Sequence, residues 1–421
     1  MRLQAVKGTF DILPEDMPRW RELRARVAGT LERAGVHEIT TPIFEYSEVF
    51  LKSVGESADL VVQKEMYTFE DRGGRTLTLR PEFTAGVLRA YIEHGMHTRR
   101  SPVKLWSMGP AFRAENVQRG RFRQFHQVNC EVLGLASPLV DAEAIALMYT
   151  VLSDLGLQDM TVKLGSVGDP EDRARYNEYL RQELAARESE LSETSRTRLE
   201  LNPMRILDSK DEGDQELIRD LKRPLDLLGD DARAHFEEVQ RYLGEWQVPY
   251  ELDPSIVRGL DYYRRTAFEV HHAGIGAQSA LGGGGRYDGL IESMGGPATP
   301  GIGWAFGIER VLDALQQTRN RQAVQLGPRL FLVPLDDDAV GELAGLAQQL
   351  RTITSVEYAY ARRNPGKGLK EADRAGARFA VMRGKSERDR DCYTVKELDS
   401  GDQFEVSPTQ LEALAAGLDE E

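Results

Sequence analysis

Gly109-Pro110-Ala111-Phe112-Arg113-Ala114-Glu115, followed after a basic loop by Arg121-Phe122-Arg123-Gln124-Phe125-His126-Gln127-Val128-Asn129-Cys130-Glu131-Val132-Leu133-Gly134, is the stretch whose reading decides the fold. Phe125, Gln127, Asn129 and Glu131 alternate with His126, Val128, Cys130 and Val132, the period-2 pattern of a β-strand. One face therefore carries an aromatic ring and polar groups, while the other is mostly apolar and suits a core. Residues 103–108 read as the partner strand, ending at the Gly109-Pro110 breaker, so the whole is a hairpin. Arg113, Glu115, Arg119, Arg121 and Arg123 crowd its tip. Guanidinium groups match phosphate oxygens in a two-pronged geometry and stay protonated, and a ring such as Phe125 can hold a nucleobase by stacking. On this stretch alone, a solvated hairpin with surface ion pairs and a core phenylalanine is an equally open reading.

Outward from the hairpin, 421 residues suffice for two or three domains. The net charge is −14, and no apolar run approaches the roughly 20 residues a membrane span needs. The first residues, Met1 to Gly8, hold no apolar signal core, so a cytoplasmic protein without a membrane partner is expected. Cys130 and Cys392 are the only cysteines, too few for a disulfide scaffold or a thiolate metal site. His94 with His97, and His271 with His272, lack the carboxylate arrangement typical of zinc, so no protein metal site is expected. The acidic total disfavours indiscriminate nucleic-acid binding. Residues 362–390 nevertheless hold ten Lys or Arg against four acids, a local net charge of +6.

Several other stretches combine structural and chemical signals. Pro14 to Gly35 reads as a helix with Trp20, Leu23, Val27 and Leu31 on one face, leading into a strand over 38–45 that Pro42 confines to an edge or a subunit contact. Residues 64–70 and 76–80 flank Gly73-Gly74 as a second hairpin, which runs through Pro81-Glu82-Phe83-Thr84 into a helix. Glu82 and Thr84 thus sit at a strand-to-helix junction, able to reach a pocket or, for Glu82, merely to complement the helix N-terminus. From about 170 to 247 charged helix formers dominate, the mark of an inserted helical subdomain. Residues 257–270 read as a strand that carries Arg258 and Asp261 among aromatics, so one side should face a polar cavity. Four glycines at 282–285 allow a bound molecule to lie against bare backbone, with a plain turn as the competing account. A glycine-rich strand from 301 then enters a helix with Arg310 in its first turns. Past a linker at 321–328, strands near 330–335, 356–360 and 379–382 alternate with helices as a separate C-terminal α/β domain over 329–421.

Taken together, these stretches resemble the histidyl-tRNA synthetase family of class II aminoacyl-tRNA synthetases along nearly the whole chain. Phe112-Arg113-Ala114-Glu115 with Arg121-Phe122-Arg123-Gln124-Phe125 is similar to class II motif 2, residues 301–310 to motif 3, and the Pro42 strand with its preceding helix to motif 1. Arg258-Gly259-Leu260-Asp261-Tyr262-Tyr263 and Gly284-Gly285-Arg286-Tyr287-Asp288-Gly289 look like the two signature peptides of the histidine family. The resemblance implies an α+β fold: a six-stranded antiparallel catalytic sheet with flanking helices over 1–320, interrupted by the helical insertion, and an anticodon-binding C-terminal domain. It also implies a homodimer formed through motif 1. The implied reaction uses ATP, with Mg²⁺, to convert L-histidine to histidyl-adenylate and pyrophosphate, and then passes the histidyl group to the 3′ end of the tRNA for histidine.

Residue by residue, the resemblance puts Arg113 on the α-phosphate, Glu115 on the adenine amino edge, Arg121 and Arg310 on the outer phosphates, and Phe125 against the base. Arg258 would be the additional cation on the reacting phosphate and also belongs to the histidine-binding set. Glu82, Thr84 and Gln127 would hold the α-ammonium, Glu131 and Tyr263 the two ring nitrogens, with Tyr262 and Tyr287 lining the amino-acid pocket. Adenylyl transfer needs positioned positive charge more than a proton-shuttling base. A buried site that hydrogen-bonds both imidazole nitrogens rejects analogues lacking them by roughly 10⁴-fold without editing. One departure is Phe83, where many bacterial members carry glycine, which bears on the shape of the loop holding Glu82 and Thr84. The alternative is the catalytically silent relative that regulates ATP phosphoribosyltransferase; such paralogues typically lack the C-terminal domain and part of the arginine and signature-peptide set, all of which this chain keeps.

Overall fold

The computed structural model describes residues 3–54, 65–117, 120–209, 211–254, 256, 262–274, 279–318 and 327–418. The chain divides into two compact units, one of residues 1–12 and 19–321, the other of 13–18 and 322–421. The linker expected at 321–328 falls mostly outside the described residues, as does the segment 257–261.

The larger unit is organised by a sheet of eight strands. They are β1 (His37–Glu38), β5 (Val103–Phe112), β6 (Gln124–Leu133), β7 (Met160–Ser166), β8 (Tyr250–Leu252), β9 (Arg264–His272), β10 (Ala280–Arg286) and β11 (Gly301–Gly307), in the spatial order β1-β5-β6-β11-β10-β9-β7-β8. A three-stranded sheet is made by β2 (Phe44–Tyr46), β4 (Thr76–Leu79) and β3 (Thr68–Glu70), in that order. The large sheet is mixed, which corrects the expectation of six antiparallel strands: β1 pairs with β5, and β8 with β7, in parallel. Both additions are short edge strands, two and three residues long, that arrive from helices rather than from tight hairpin turns. The chain between β1 and β5, and that between β7 and β8, is a long crossover, which lets the paired strands run in parallel, and a period-2 pattern cannot register in so few residues. The strand expected across Pro42 is likewise split into β1 and β2, with residues 39–43 in neither.

The central hairpin is longer than its breaker suggested. β5 runs through Gly109-Pro110 to Phe112, with Pro110 opposite His126. The His126 N–H is directed to the Glu309 carboxylate at 2.9 Å, so no ladder bond is lost to the missing proline donor. Residues 282–285 lie inside β10 and are not a turn. At Gly284 a β-carbon would fall 2.0 Å from the Gly303 carbonyl oxygen of β11, so only glycine lets these strands approach.

One face of the sheet is sealed by helices. Leu23, Val27 and Leu31 of the helix Met17–Arg33, Ile145, Met148 and Leu152 of Pro138–Asp154, and Phe236, Val239 and Leu243 of Asp230–Glu245 share a core with Trp106, Val128, Cys130, Phe268 and Ile302. The apolar side of the β6 alternation is thereby buried, which leaves its polar side to the opposite face. Between Pro170 and Glu245 the chain is helical, with its own small cores around Leu184, Leu199 and Ile206 and around Tyr176 and Leu180. Among the described residues, no helix is long and apolar enough to cross a membrane.

The smaller unit has a five-stranded sheet, β12 (Leu330–Pro334), β13 (Val356–Tyr358), β14 (Phe379–Arg383), β15 (Tyr393–Glu397) and β16 (Gln403–Val406), in the order β13-β12-β14-β15-β16. The first three strands are parallel, and β15 and β16 add an antiparallel edge that the sequence reading missed.

Candidate active site

A cavity of about 540 Å³ opens on the polar face of the large sheet. Phe125, Gln127 and Asn129 of β6 and Gly303 and Ala305 of β11 form its floor. Glu82 and Thr84 enter from the start of the helix Thr84–Glu93, Arg113, Glu115 and Arg121 from the connection between β5 and β6, and Arg310 from the first turn of the helix Ile308–Thr318. Tyr262 and Tyr263 precede β9, and Tyr287 follows β10.

One end of the cavity is built on a buried carboxylate. Glu131 is fully buried and accepts hydrogen bonds from Thr84 Oγ1 at 2.6 Å, from Asn129 Nδ2 at 2.8 Å and from the Tyr287 hydroxyl. Burial pushes its carboxyl up to about 7; the hydrogen bonds from Thr84 and Tyr287 oppose that rise, and the nearby Glu82 charge adds to it. A β-carbon at Gly303 would lie 1.6 Å from Glu131 Oε2, so the carboxylate occupies the space that glycine vacates. Glu82 accepts from the backbone N–H groups of Thr84 at 2.5 Å and Ala85 at 2.9 Å, which caps the helix, while burial raises its carboxyl too. The Tyr262 ring packs 4.7 Å from that of Tyr263 and edge-on, 6.0 Å away, to that of Tyr287. Gln127 Oε1 is buried without a hydrogen-bond partner among the described residues. A buried acceptor left unmade costs about 1–3 kcal/mol, so this end of the cavity is prepared for a donor.

The other end collects cations. Arg113 Nε donates to the Pro81 carbonyl at 2.9 Å, and its guanidinium carbon stands 5.2 Å from the centre of the Phe125 ring. Arg121 Nη1 lies 3.2 Å from Glu115 Oε2. Arg310 donates to the carbonyls of Ala280 at 2.8 Å and Gly120 at 3.3 Å. Burial, and after it the neighbouring Arg121 charge, lower the Arg310 guanidinium from its ordinary value, while Glu115 and Glu269 oppose that fall.

The family model described as Histidyl-tRNA synthetase matches residues 8–311, and the one described as Anticodon binding domain matches residues 329–416. The histidine–tRNA ligase of Thermus thermophilus is 55% identical over 413 residues, which span 98% of each chain. That of Deinococcus radiodurans is 50% identical over 430 residues, 99% of this chain and 100% of the relative. This chain belongs to the histidyl-tRNA synthetase family. A crystal structure of apo histidyl-tRNA synthetase from S. aureus superposes with a TM-score of 0.83 at 34% identity, covering 99% of this chain and 100% of that one.

In this synthetase, eleven of the thirteen residues singled out from sequence line the one cavity. Glu131 joins them through Thr84 and Tyr287, and Arg258 lies outside the described residues, as does Arg119 of the hairpin tip. Phe83 does not displace its neighbours: it is buried beneath the Arg80 guanidinium, 3.9 Å from ring centre to Cζ, while Glu82 and Thr84 still reach the cavity. Sequence reading passed over Asn129 as a site residue, although it shares the period-2 face of Gln127 and Glu131. It also passed over Glu269, which lines the cavity from β9 and meets the His271 ring at 2.9 Å. Arg286 of the second signature peptide does not enter the cavity. It is fully buried against Asp141, at 3.0 Å from Nε to Oδ1.

Proposed function

We propose that this chain ligates L-histidine to its tRNA in two steps within the cavity on the large sheet. Histidine attacks the α-phosphorus of ATP through its carboxylate, forming histidyl-adenylate and releasing pyrophosphate. The 3′-terminal ribose hydroxyl of the tRNA then takes the histidyl group and releases AMP. The observation that carries this reading is the juxtaposition, at one cavity, of a buried hydrogen-bonded carboxylate with three guanidiniums, two from the β5–β6 connection and one from the helix Ile308–Thr318.

On this reading Glu131 and Tyr263 hold the imidazole nitrogens, Tyr262 and Tyr287 wall the ring, and Glu82, Thr84 and the unsatisfied Gln127 oxygen receive the α-ammonium. Arg113 and Arg258 neutralise the charge that develops on the α-phosphate, Arg121 and Arg310 hold the outer phosphates, and Glu115 and Phe125 take the adenine edge and face. Mg²⁺ arriving with ATP would find oxygen ligands on the triphosphate and on Glu269, and would spread the charge of the departing pyrophosphate. Residues 1–320 would carry this chemistry, with the insertion at about 170–247, while 329–421 reads the anticodon arm in the cytoplasm.

A homodimer through the motif 1 region accords with Ile43, Phe44 and Tyr46, which are 44%, 48% and 50% exposed beside a groove of about 1530 Å³ lined by Pro42, Tyr46 and Leu51. Apolar side chains of that size concentrated on one surface mark a contact. Sedimentation should give twice the 47.2 kDa chain mass, and a monomer at micromolar concentration would refute the dimer.

ATP–pyrophosphate exchange driven by histidine tests the reaction. Exchange with another amino acid, or none at all, would overturn the reading, the latter favouring a noncatalytic regulator. Arg258→Ala is expected to cut the exchange rate at saturating substrate by more than 10²-fold while changing histidine affinity little; an unchanged rate would remove Arg258 from the site.

A further inference from the structure

The N-terminal turn at residues 6–10 packs on the β5–β6 connection, and neither the cavity lining nor the reading above uses it. The Thr9 N–H and hydroxyl both donate to the Val6 carbonyl, at 2.9 and 2.8 Å, closing a turn in which Gly8 takes a φ of +89°. That turn presents the Gly8 carbonyl to the Arg123 N–H at 2.8 Å. A β-carbon on Gly8 would sit 2.8 Å from Val117 Cγ2 and 2.9 Å from Arg123 Cγ, so the turn fits against both legs of the connection and only glycine allows it. Two residues on, the Phe10 ring lies 4.9 Å from that of Phe122, tilted by 57°. The Arg123 carbonyl in turn accepts from the Arg113 N–H at 2.9 Å. A continuous set of contacts therefore runs from Gly8 and Phe10, through Arg123 and Phe122, to Arg113 and Arg121.

We infer that Gly8 and Phe10 are positioning residues for the triphosphate end of the site, acting through the β5–β6 connection; this rests on the proposed assignment of Arg113 and Arg121 to ATP. The physical reason is entropic and local. A connection that carries two arginines with few core contacts loses conformational freedom on gripping a polyanion, and a packed turn removes part of that freedom beforehand. The histidine end, held by Glu131, Thr84 and Tyr287 on β6, the helix Thr84–Glu93 and the residue after β10, makes none of these contacts. The turn should therefore affect the two substrates unequally.

The test is histidine-driven ATP–pyrophosphate exchange by the full chain and by Phe10→Ala, Phe10→Leu and Gly8→Val, with Arg113→Ala alongside. Phe10→Ala is expected to raise the KM for ATP by roughly three- to tenfold, the scale of a lost aromatic pair, with the KM for histidine unchanged within about twofold. Phe10→Leu should recover part of the loss, and Gly8→Val should reproduce it. Combining Phe10→Ala with Phe122→Ala should add little to Phe122→Ala alone, because both delete one contact. Melting curves separate local from global effects, since Phe10 is 38% exposed and its truncation should leave the transition almost unmoved. Equal increases in both KM values, or an ATP KM within twofold of the parent in Phe10→Ala and Gly8→Val, would overturn the inference. If Arg113→Ala also left ATP use intact, the assignment of the arginines would fall, whatever the turn does.

Discussion

At the scale of single residues, the fold places a carboxyl group where water cannot solvate its charge. Glu131 titrates near 7 in the folded chain against 4.5 ordinarily, so between those values the folded state binds a proton that the unfolded state has released. The contribution of this group to stability is therefore largest at the acid end of that window and falls as pH rises through it. Glu131→Gln is expected to flatten the dependence of Tm on pH between about 5 and 8 relative to the parent, measured by calorimetry; parallel curves would exclude a raised carboxyl. Gly303→Ala is expected to raise the KM for histidine more than tenfold and to cost about 1–3 kcal/mol of stability, because the methyl group would displace the Glu131 carboxylate. Exchange kinetics and urea denaturation check the two halves. The strand could be singled out as a candidate because Phe125, Gln127 and Glu131 place unusual chemistry on one face of an otherwise ordinary strand. That the Glu131 carboxyl is raised was not legible, because it depends on Tyr287, Thr84 and Gly303, brought to it from other parts of the sheet and from a helix.

At the scale of elements, the helix Pro138–Asp154 does more than cover the sheet. Its Asp141 is fully buried and accepts from Thr266 Oγ1 of β9 at 2.6 Å, from the Arg286 guanidinium at the end of β10, and lies 2.8 Å from His235 Nε2 of the helix Asp230–Glu245. Arg286 also meets Asp288 at 2.9 Å and the Leu135 carbonyl at 3.2 Å, so the peptide bearing Tyr287 is anchored on both sides. Asp141→Ala leaves a buried guanidinium without its main counter-charge and is expected to destabilise the larger unit by about 3–5 kcal/mol. A shift in the urea midpoint measures this, and a change below about 1 kcal/mol would mean that Asp288 alone suffices. Asp141 carried a faint sequence signal, an acid within an apolar helical run. Its partners carried none, since Asp141 and Arg286 are far apart in the chain. The long strands β5, β6, β9 and β11 announced themselves, whereas β1, β8 and β16 are short edges whose existence depends on a neighbour to pair with.

At the scale of the whole molecule, the two units carry separate cores. The basic segment 362–390 is less of a bare patch than its composition implies: Arg363 pairs with Glu371 at 2.6 Å, Arg383 with Glu342 at 2.6 Å, Arg388 with Asp336 at 2.8 Å, and Arg390 meets Glu405 at 2.5 Å. Lys367, Lys370 and Arg374 remain exposed along the helix Pro365–Arg374, spaced so that they share one face. Deleting residues 329–421 is expected to preserve histidine-dependent exchange while lowering tRNA charging by at least an order of magnitude and reducing its salt sensitivity; normal charging by the truncated protein would refute an anticodon role. Replacing Lys367, Lys370 and Arg374 together by glutamine should weaken tRNA binding with a smaller salt slope and leave exchange untouched.

Local signals in the sequence determined the central hairpin, the helical stretch near 170–247, the strand-and-helix alternation after residue 329 and the stranded charges among the candidate site residues, while the α+β class and the residue roles came from the family resemblance. The local signals could do so because periodicity, glycine and proline placement and stranded charges are properties of neighbouring residues. Only the tertiary structure decided that the large sheet has eight strands with parallel edges, that Arg286 turns into the core while Tyr287 faces the cavity, and that the N-terminal turn rests on the arginine-bearing connection. Each of those depends on pairing, burial or a shared carboxylate between residues remote in sequence, and a chain written in one dimension does not record which of its distant parts will exclude water from one another.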